Sequence, residues 1–211
     1  MRVYGHEELH LHFHNLMEIG ICRQGVGDMY FDEEVYKYHS GDITIIPENF
    51  PHVTVSDGET TNFWEYIFID LRSMIETMFP GNVAFQNDAV SSLSKRAYMT
   101  NERDNHIIAE CINGIIRETN EHKTYSQRAI ALKVQEIVIE LLRHDASLPE
   151  EKNNLVKGTN MSQIASALDY INKHFKEQLK ACELAELCNM SETHFRRLFE
   201  SFINMPPMEY V

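Results

Sequence analysis

The sequence predicts an α+β fold: a small N-terminal β-barrel with a helical hairpin, followed by a compact all-α unit. Three observations predict it. To about residue 70, apolar residues recur at period two in short runs broken by Gly and Pro. Beyond residue 70 the spacing becomes three and four, the period of amphipathic helices. Residues 146–161 lose periodicity and gather Pro, Gly, Asn and charge, the composition of a linker. The expected division is 1–70 barrel, 71–145 helices packed on it, 146–161 linker and 162–211 helical unit.

The strands come first. EIGICRQG places Ile19 and Ile21 at period two and ends near a turn at Gly25 and Gly27. Tyr30, Val35, Tyr36 and Tyr38 continue the pattern around a hairpin tipped by Asp32-Glu33-Glu34. DITII is a β-branched strand stopped by Pro47, and FWEYIFID puts Trp64, Tyr66 and Phe68 on one face. LRSMIETMF is a short amphipathic piece ended by Pro80-Gly81. Two long helices follow, Asp104 to about Asn120 (Ile108, Cys111, Ile112, Ile115) and Ser126 to His144 (Ile130, Val134, Ile137, Val138, Leu141). A short polar link makes them an antiparallel hairpin. Either both stripes only cover the barrel, or the second helix also joins two copies; a homodimer is the expectation carried forward.

In the last unit, Ile164, Leu168 and Ile171 share a helix face, with Ser162 as N-cap. Leu184, Ala185, Leu187 and Met190 belong to a second helix, with Ala185 at a close crossing. NMS makes a tight turn, Ser191 caps the third helix, and Glu192 suits its first turn. That helix buries Phe195, Leu198, Phe199 and Phe202 and turns Thr193, Arg196 and Arg197 outward.

Composition limits the function. The 211 residues carry a formal net charge of -13, which excludes a surface that grips phosphate everywhere but not a small DNA-reading face. The last fifty residues hold five Lys and Arg against seven Asp and Glu, few for a free-standing DNA binder. Cys22, Cys111, Cys182 and Cys188 form no CxxC pair and read as reduced cytoplasmic thiols. No secretory leader or bilayer-spanning run is expected, and no membrane partner.

His10, His12 and His14 alternate and so point the same way along an extended strand; Glu18 shares their parity if the strand bends. His52 follows a proline turn. Three imidazoles and one carboxylate suit a divalent transition metal such as Zn, Ni, Mn or Fe, with positions left for water or ligand. The spacing H-x-H-x3-E-x6-G (His12, His14, Glu18, Gly25) resembles the first motif of the cupin superfamily, and Gly41, Pro47 and His52 resemble the second. Asn49 replaces a glycine of that second motif, and Ser56 its terminal asparagine. The resemblance implies a cupin barrel with His12, His14, Glu18 and His52 as metal ligands, His6 and His10 lying outside the set. Trp64 and Tyr66 either form an aromatic effector-binding wall or pack under the helices, and Arg23 either holds an anion at the barrel mouth or stands solvated at the end of its strand.

Leu184-Ala185, Ser191, Arg197, Phe199, Pro207 and Tyr210 resemble the first helix-turn-helix of AraC-family transcription regulators, with Asn204 and Pro206 replacing glycine and serine of the tail motif. The resemblance implies a ligand-responsive regulator, not an enzyme. A small-molecule effector would enter the barrel, and Ser191, Thr193, Arg196 and Arg197 would meet the DNA major groove. Arg197 in a purely structural role is the alternative at that position. The family's second helix-turn-helix is missing after residue 211, so weak DNA affinity is expected of this chain. The alternative function is a metal-dependent cupin oxygenase or isomerase using the His/His/Glu/His set.

Overall fold

The computed structural model describes residues 12–31, 34–58, 60–147, 163–203 and 205–211. His6 and His10, the tip residues Asp32 and Glu33, the linker from residue 148 on, the cap Ser162 and Asn204 lie outside them. No described helix is long and apolar enough to cross a membrane.

Six strands open the chain: β1 (Met17–Gln24), β2 (Gly27–Phe31), β3 (Glu34–Tyr38), β4 (Asp42–Ile46), β5 (His52–Ser56) and β6 (Phe63–Ile69). A seventh, β7 (Tyr98–Asn101), comes after two helices, α1 (Leu71–Met78) and α2 (Val83–Leu93). The strands make a four-stranded antiparallel sheet in the order β6-β1-β4-β7 and a three-stranded one in the order β3-β2-β5. This corrects the expected barrel: among the described residues the ladders form two sheets and do not close on one another. The β4–β5 connection shows why. Pro47 and Pro51 carry no N–H to extend a ladder, and Asn49 between them is left-handed (φ 57).

Register decides what each face does. Glu18 lies opposite Ile46 and Phe68, Gly20 opposite Thr44 and Tyr66, and Cys22 opposite Trp64. These residues face the second sheet, where Cys22, Ile46 and Trp64 pack with Met29, Phe31 and Tyr38. Met17, Ile19, Ile21, Ile43, Ile45 and Ile69 have the other parity and meet the helices. The central strand β1 is therefore buried on both faces from Met17 to Cys22.

Helices α3 (His106–Glu121) and α4 (Ser126–Ser147) form the expected hairpin and bury Ile108, Ile112, Ile115, Ile137, Val138 and Leu141 against the sheet. Each such side chain contributes roughly 1.5–3 kcal/mol by leaving water. The link between them turns at His122 and Tyr125, both left-handed. Asp70 and Asn82 start α1 and α2 by accepting hydrogen bonds from Ser73 N (3.0 Å) and Phe85 N (3.3 Å). The sequence reading did not anticipate α2 or β7.

The last unit comprises α5 (Ala165–His174), α6 (Ala181–Leu187), α7 (Glu192–Ile203) and the single turn α8 (Pro207–Tyr210). Ile164, Leu168, Ile171, Leu184, Phe195 and Phe199 form its core. Left-handed Asn189 (φ 54) turns the chain between α6 and α7, and Ser191 Oγ caps α7 by accepting from His194 N at 3.3 Å. Tyr210 closes the core edge-on to Phe199, ring centroids 5.5 Å apart. Phe13, from the other end of the chain, also packs against this core.

Candidate functional site: an imidazole cluster in an aromatic pocket

The backbone first brings the histidines together. His12 pairs with His52 in an isolated antiparallel bridge, N–O distances 3.0 and 2.9 Å. Asn49 N donates to His14 O at 2.7 Å, which anchors the next residues to the proline turn. Asparagine tolerates the left-handed backbone better than most residues, so it serves where the resembling motif has glycine. His12, His14 and His52 each offer a ring nitrogen within 4.8 Å of the others. Glu18 joins them from β1, its Oε2 2.9 Å from His14 Nε2 and its Oε1 3.7 Å from His52 Nε2. The four residues singled out by spacing thus converge.

Burial lowers the His14 pKa below its ordinary value; Glu18 pulls it back up and His52 lowers it again. His52 is buried, and its Nδ1 lies 2.8 Å from the Phe50 carbonyl. Because a carbonyl oxygen only accepts, Nδ1 donates to it, and Nε2 is the nitrogen turned toward the cluster. His52 Nε2 is buried and has no hydrogen-bond partner. A buried nitrogen in that state is costly unless it meets a ligand.

The cluster lies at one side of a pocket of about 640 Å³ between the sheets. β6 supplies an aromatic wall: Trp64 and Tyr66 stack at 5.9 Å with planes 9° apart, and Phe68 meets His14 edge-on at 5.1 Å. Two glycines make room for it. A side chain on Gly20 would collide with Thr44 and the Tyr66 ring. Gly25, at φ +106, lets Asn62 approach to where a Cβ would lie 1.9 Å from its amide oxygen. Asn62 lines the pocket with Phe63 and accepts from Tyr38 OH at 3.1 Å.

Of the expected effector residues, Trp64 and Tyr66 line this pocket and Arg23 does not. Arg23 shares the parity of Ile19 and Ile21, so it leaves the sheet on the helix side. There it binds Glu65 at 2.5 Å and Asn113 of α3 at 2.6 Å. Thr54, Asn62, Phe63 and Phe68 also line the pocket and are not among the site residues expected from sequence. The signals were present: Thr54 is two residues past His52, and Phe68 continues the face of Trp64 and Tyr66. In the last helical unit, Ser191, Thr193, Arg196 and Arg197 stand exposed along the start of α7. Arg196 is held by Glu192 at 2.7–2.8 Å. Exposed His194 lies between Thr193 and Phe195.

The family profile of the AraC-like ligand binding domain matches residues 4–142, which take in both sheets and nearly all of the helical hairpin. The chain belongs to the AraC-like ligand-binding family. One relative of this AraC-like chain is an uncharacterized HTH-type transcriptional regulator of Haemophilus influenzae. It is 21% identical over 201 residues, covering 90% of this chain and 67% of that protein. Among solved structures, the AraC-like transcriptional activator CuxR is similar at a TM-score of 0.48 and 14% identity, over 89% of this chain. Wild-type ToxT from Vibrio cholerae, bound to an unsaturated fatty acid, is similar at a TM-score of 0.47 and 13% identity, over 94% of this chain and 87% of that one. The AraC-like chain spans 61% of the CuxR chain.

Proposed function

We propose that the chain is a ligand-responsive, DNA-binding transcription regulator that senses a small molecule, together with a divalent transition metal, in the pocket between its sheets. The observation that supports this best is the convergence of His12, His14 and His52, with His52 Nε2 buried and without a hydrogen bond, on the aromatic wall. The residues fit a metal. Three nitrogens converge, the carbonyl of Phe50 orients the buried ring as outer partners of metal-bound histidines do, and burial of His14 disfavours its charged form. His12, His14 and His52 would hold the ion with Glu18 beside them, and the ion would supply positive charge and open positions for an effector group.

Phe13 supports the link to DNA. It sits between two of the histidines and packs against the core of the helix-turn-helix unit, so ordering His12 and His14 orders a contact of that unit. Through α7, Thr193 and Arg197 would reach base edges and Ser191 a phosphate. Arg196 would join them once released from Glu192.

In-vitro selection from a random duplex pool at low salt tests the reading. A recurring motif is expected from the wild-type chain and none from R197A. Selection of no motif by the wild type would remove the DNA-reading half of the proposal.

A further inference from the structure

This inference rests on the metal-holding pocket proposed above and concerns what enters it. Among the described residues that line the pocket there is no lysine or arginine, and the carboxylate of Glu18 is its one fixed charge. Arg23, the nearest cation on β1, is committed to Glu65 and Asn113 across the sheet. An anionic ligand in the metal-free pocket would thus lie beside a like charge with no lysine or arginine to offset it, an arrangement the low-dielectric interior opposes. A divalent ion on three neutral imidazoles reverses the sign. Two positive charges against one from Glu18 leave a single net positive charge, which one carboxylate neutralises and a dianion exceeds.

The rest of the pocket selects the body of that acid. Phe68, Tyr66 and Trp64 run along β6 from the imidazoles toward Asn62 and Phe63. Rings that already meet one another stacked or edge-on favour another ring among them. Outside the cluster the polar groups of the lining are those of Thr54 and Asn62, the Tyr66 hydroxyl and the buried Trp64 indole N–H, while most of the exposed lining is apolar and suits a ring better than the many hydroxyls of a sugar. We infer that the pocket takes an aromatic monocarboxylate, its carboxylate on the metal and its ring against the Phe68–Tyr66 wall, so that metal and acid bind as a pair.

Trp64 is the only tryptophan in the chain and lies in the wall, so its fluorescence reports the pocket directly. Titrations use benzoate, phenylacetate and cinnamate, with benzamide as the neutral isostere and hexanoate as the acyclic acid. They are run on zinc-loaded protein and on protein stripped with EDTA and dialysed, with calorimetry alongside. At least one aromatic acid is expected to bind the zinc-loaded protein ten times or more tighter than the stripped protein. Benzamide and hexanoate should each bind the loaded protein at least tenfold more weakly than that acid. F68A, which truncates a half-exposed ring and empties no core, should lose the acid and keep the zinc. Equal binding of the acid to stripped protein, or equal binding of benzamide or hexanoate, overturns the inference. Zinc uptake with none of the three aromatic acids bound also overturns it while leaving the metal site standing. Absence of zinc binding overturns both.

Discussion

Replacing Gly20 with alanine tests the pocket's construction, because two opposed effects can be weighed from the structure. A Cβ at residue 20 would lie 2.6 Å from Thr44 Oγ1 and 2.9–3.0 Å from the Tyr66 ring, well inside ordinary contact. Thr44 is completely buried, so the strain passes to Tyr66, which is half-buried and can move. Overpacking of this kind costs about 1–3 kcal/mol. Against it, an alanine reduces the freedom of the unfolded chain, worth roughly 0.4–1 kcal/mol. The net expectation is a loss of up to about 2.6 kcal/mol, or a fall in Tm of up to about 10 °C at 2–4 °C per kcal/mol. Urea unfolding followed by circular dichroism measures it, and Trp64 emission should shift because Tyr66 leaves its stack. A variant as stable as wild type with unchanged emission would refute the claim that Gly20 makes room for the aromatic wall.

Three further outcomes are expected. His144 stacks on Tyr98 at 5.0 Å, and burial lowers its pKa, with Arg96 adding to the effect and Asp145 opposing it. Because the folded value lies below the unfolded one near 6.5, the stability His144 permits is complete above pH 6.5 and lost as pH falls through the folded value. H144Q should therefore lose less stability than wild type between pH 7.5 and 5.5 in paired urea titrations; equal losses would contradict this. Phe195 is fully buried among Ile164, Leu168 and Phe199, so F195A should cost about 3–5 kcal/mol, read from unfolding of the helical signal. R197A should weaken binding to any selected DNA site by about 1–3 kcal/mol in a fluorescence titration at fixed salt. No change there would make Arg197 a structural residue.

Period and spacing made the convergence of His12, His14, Glu18 and His52 legible, since alternation fixes the side on which a strand's residues emerge. The same rule held the answer for Arg23. Its parity is that of Ile19 and Ile21, and only the assumption that a residue at a strand end is free to reach the mouth concealed it. Trp64 and Tyr66 could not be assigned to a face from sequence because both faces of this sheet are covered, one by helices and one by the second sheet. Register settles the matter: Tyr66 lies opposite Gly20, on the side of Glu18. The hairpin helices were readable from long apolar stripes, His106–Glu121 and Ser126–Ser147 against the expected Asp104–Asn120 and Ser126–His144. The four residues of β7 gave no alternation, and their place beside β4 depends on a pairing more than fifty residues distant. Nor did anything local mark Phe13, whose contacts lie some 150 residues further along the chain.

Everything proposed for the pocket depends on His12, His14 and His52 acting as one ligand set. Calorimetric titration of zinc into wild type, H12A, H14A and H52A measures this most directly, with Tm as a second readout. One zinc per wild-type chain is expected. Zinc free at a hundred times its Kd should stabilise the fold by about 2.7 kcal/mol, a Tm rise of about 5–10 °C. Each single variant should weaken the ion at least tenfold and lose most of that rise. Zinc bound by H52A as tightly as by wild type would contradict the account, because the buried His52 nitrogen that lacks a hydrogen bond would then have no part in holding it.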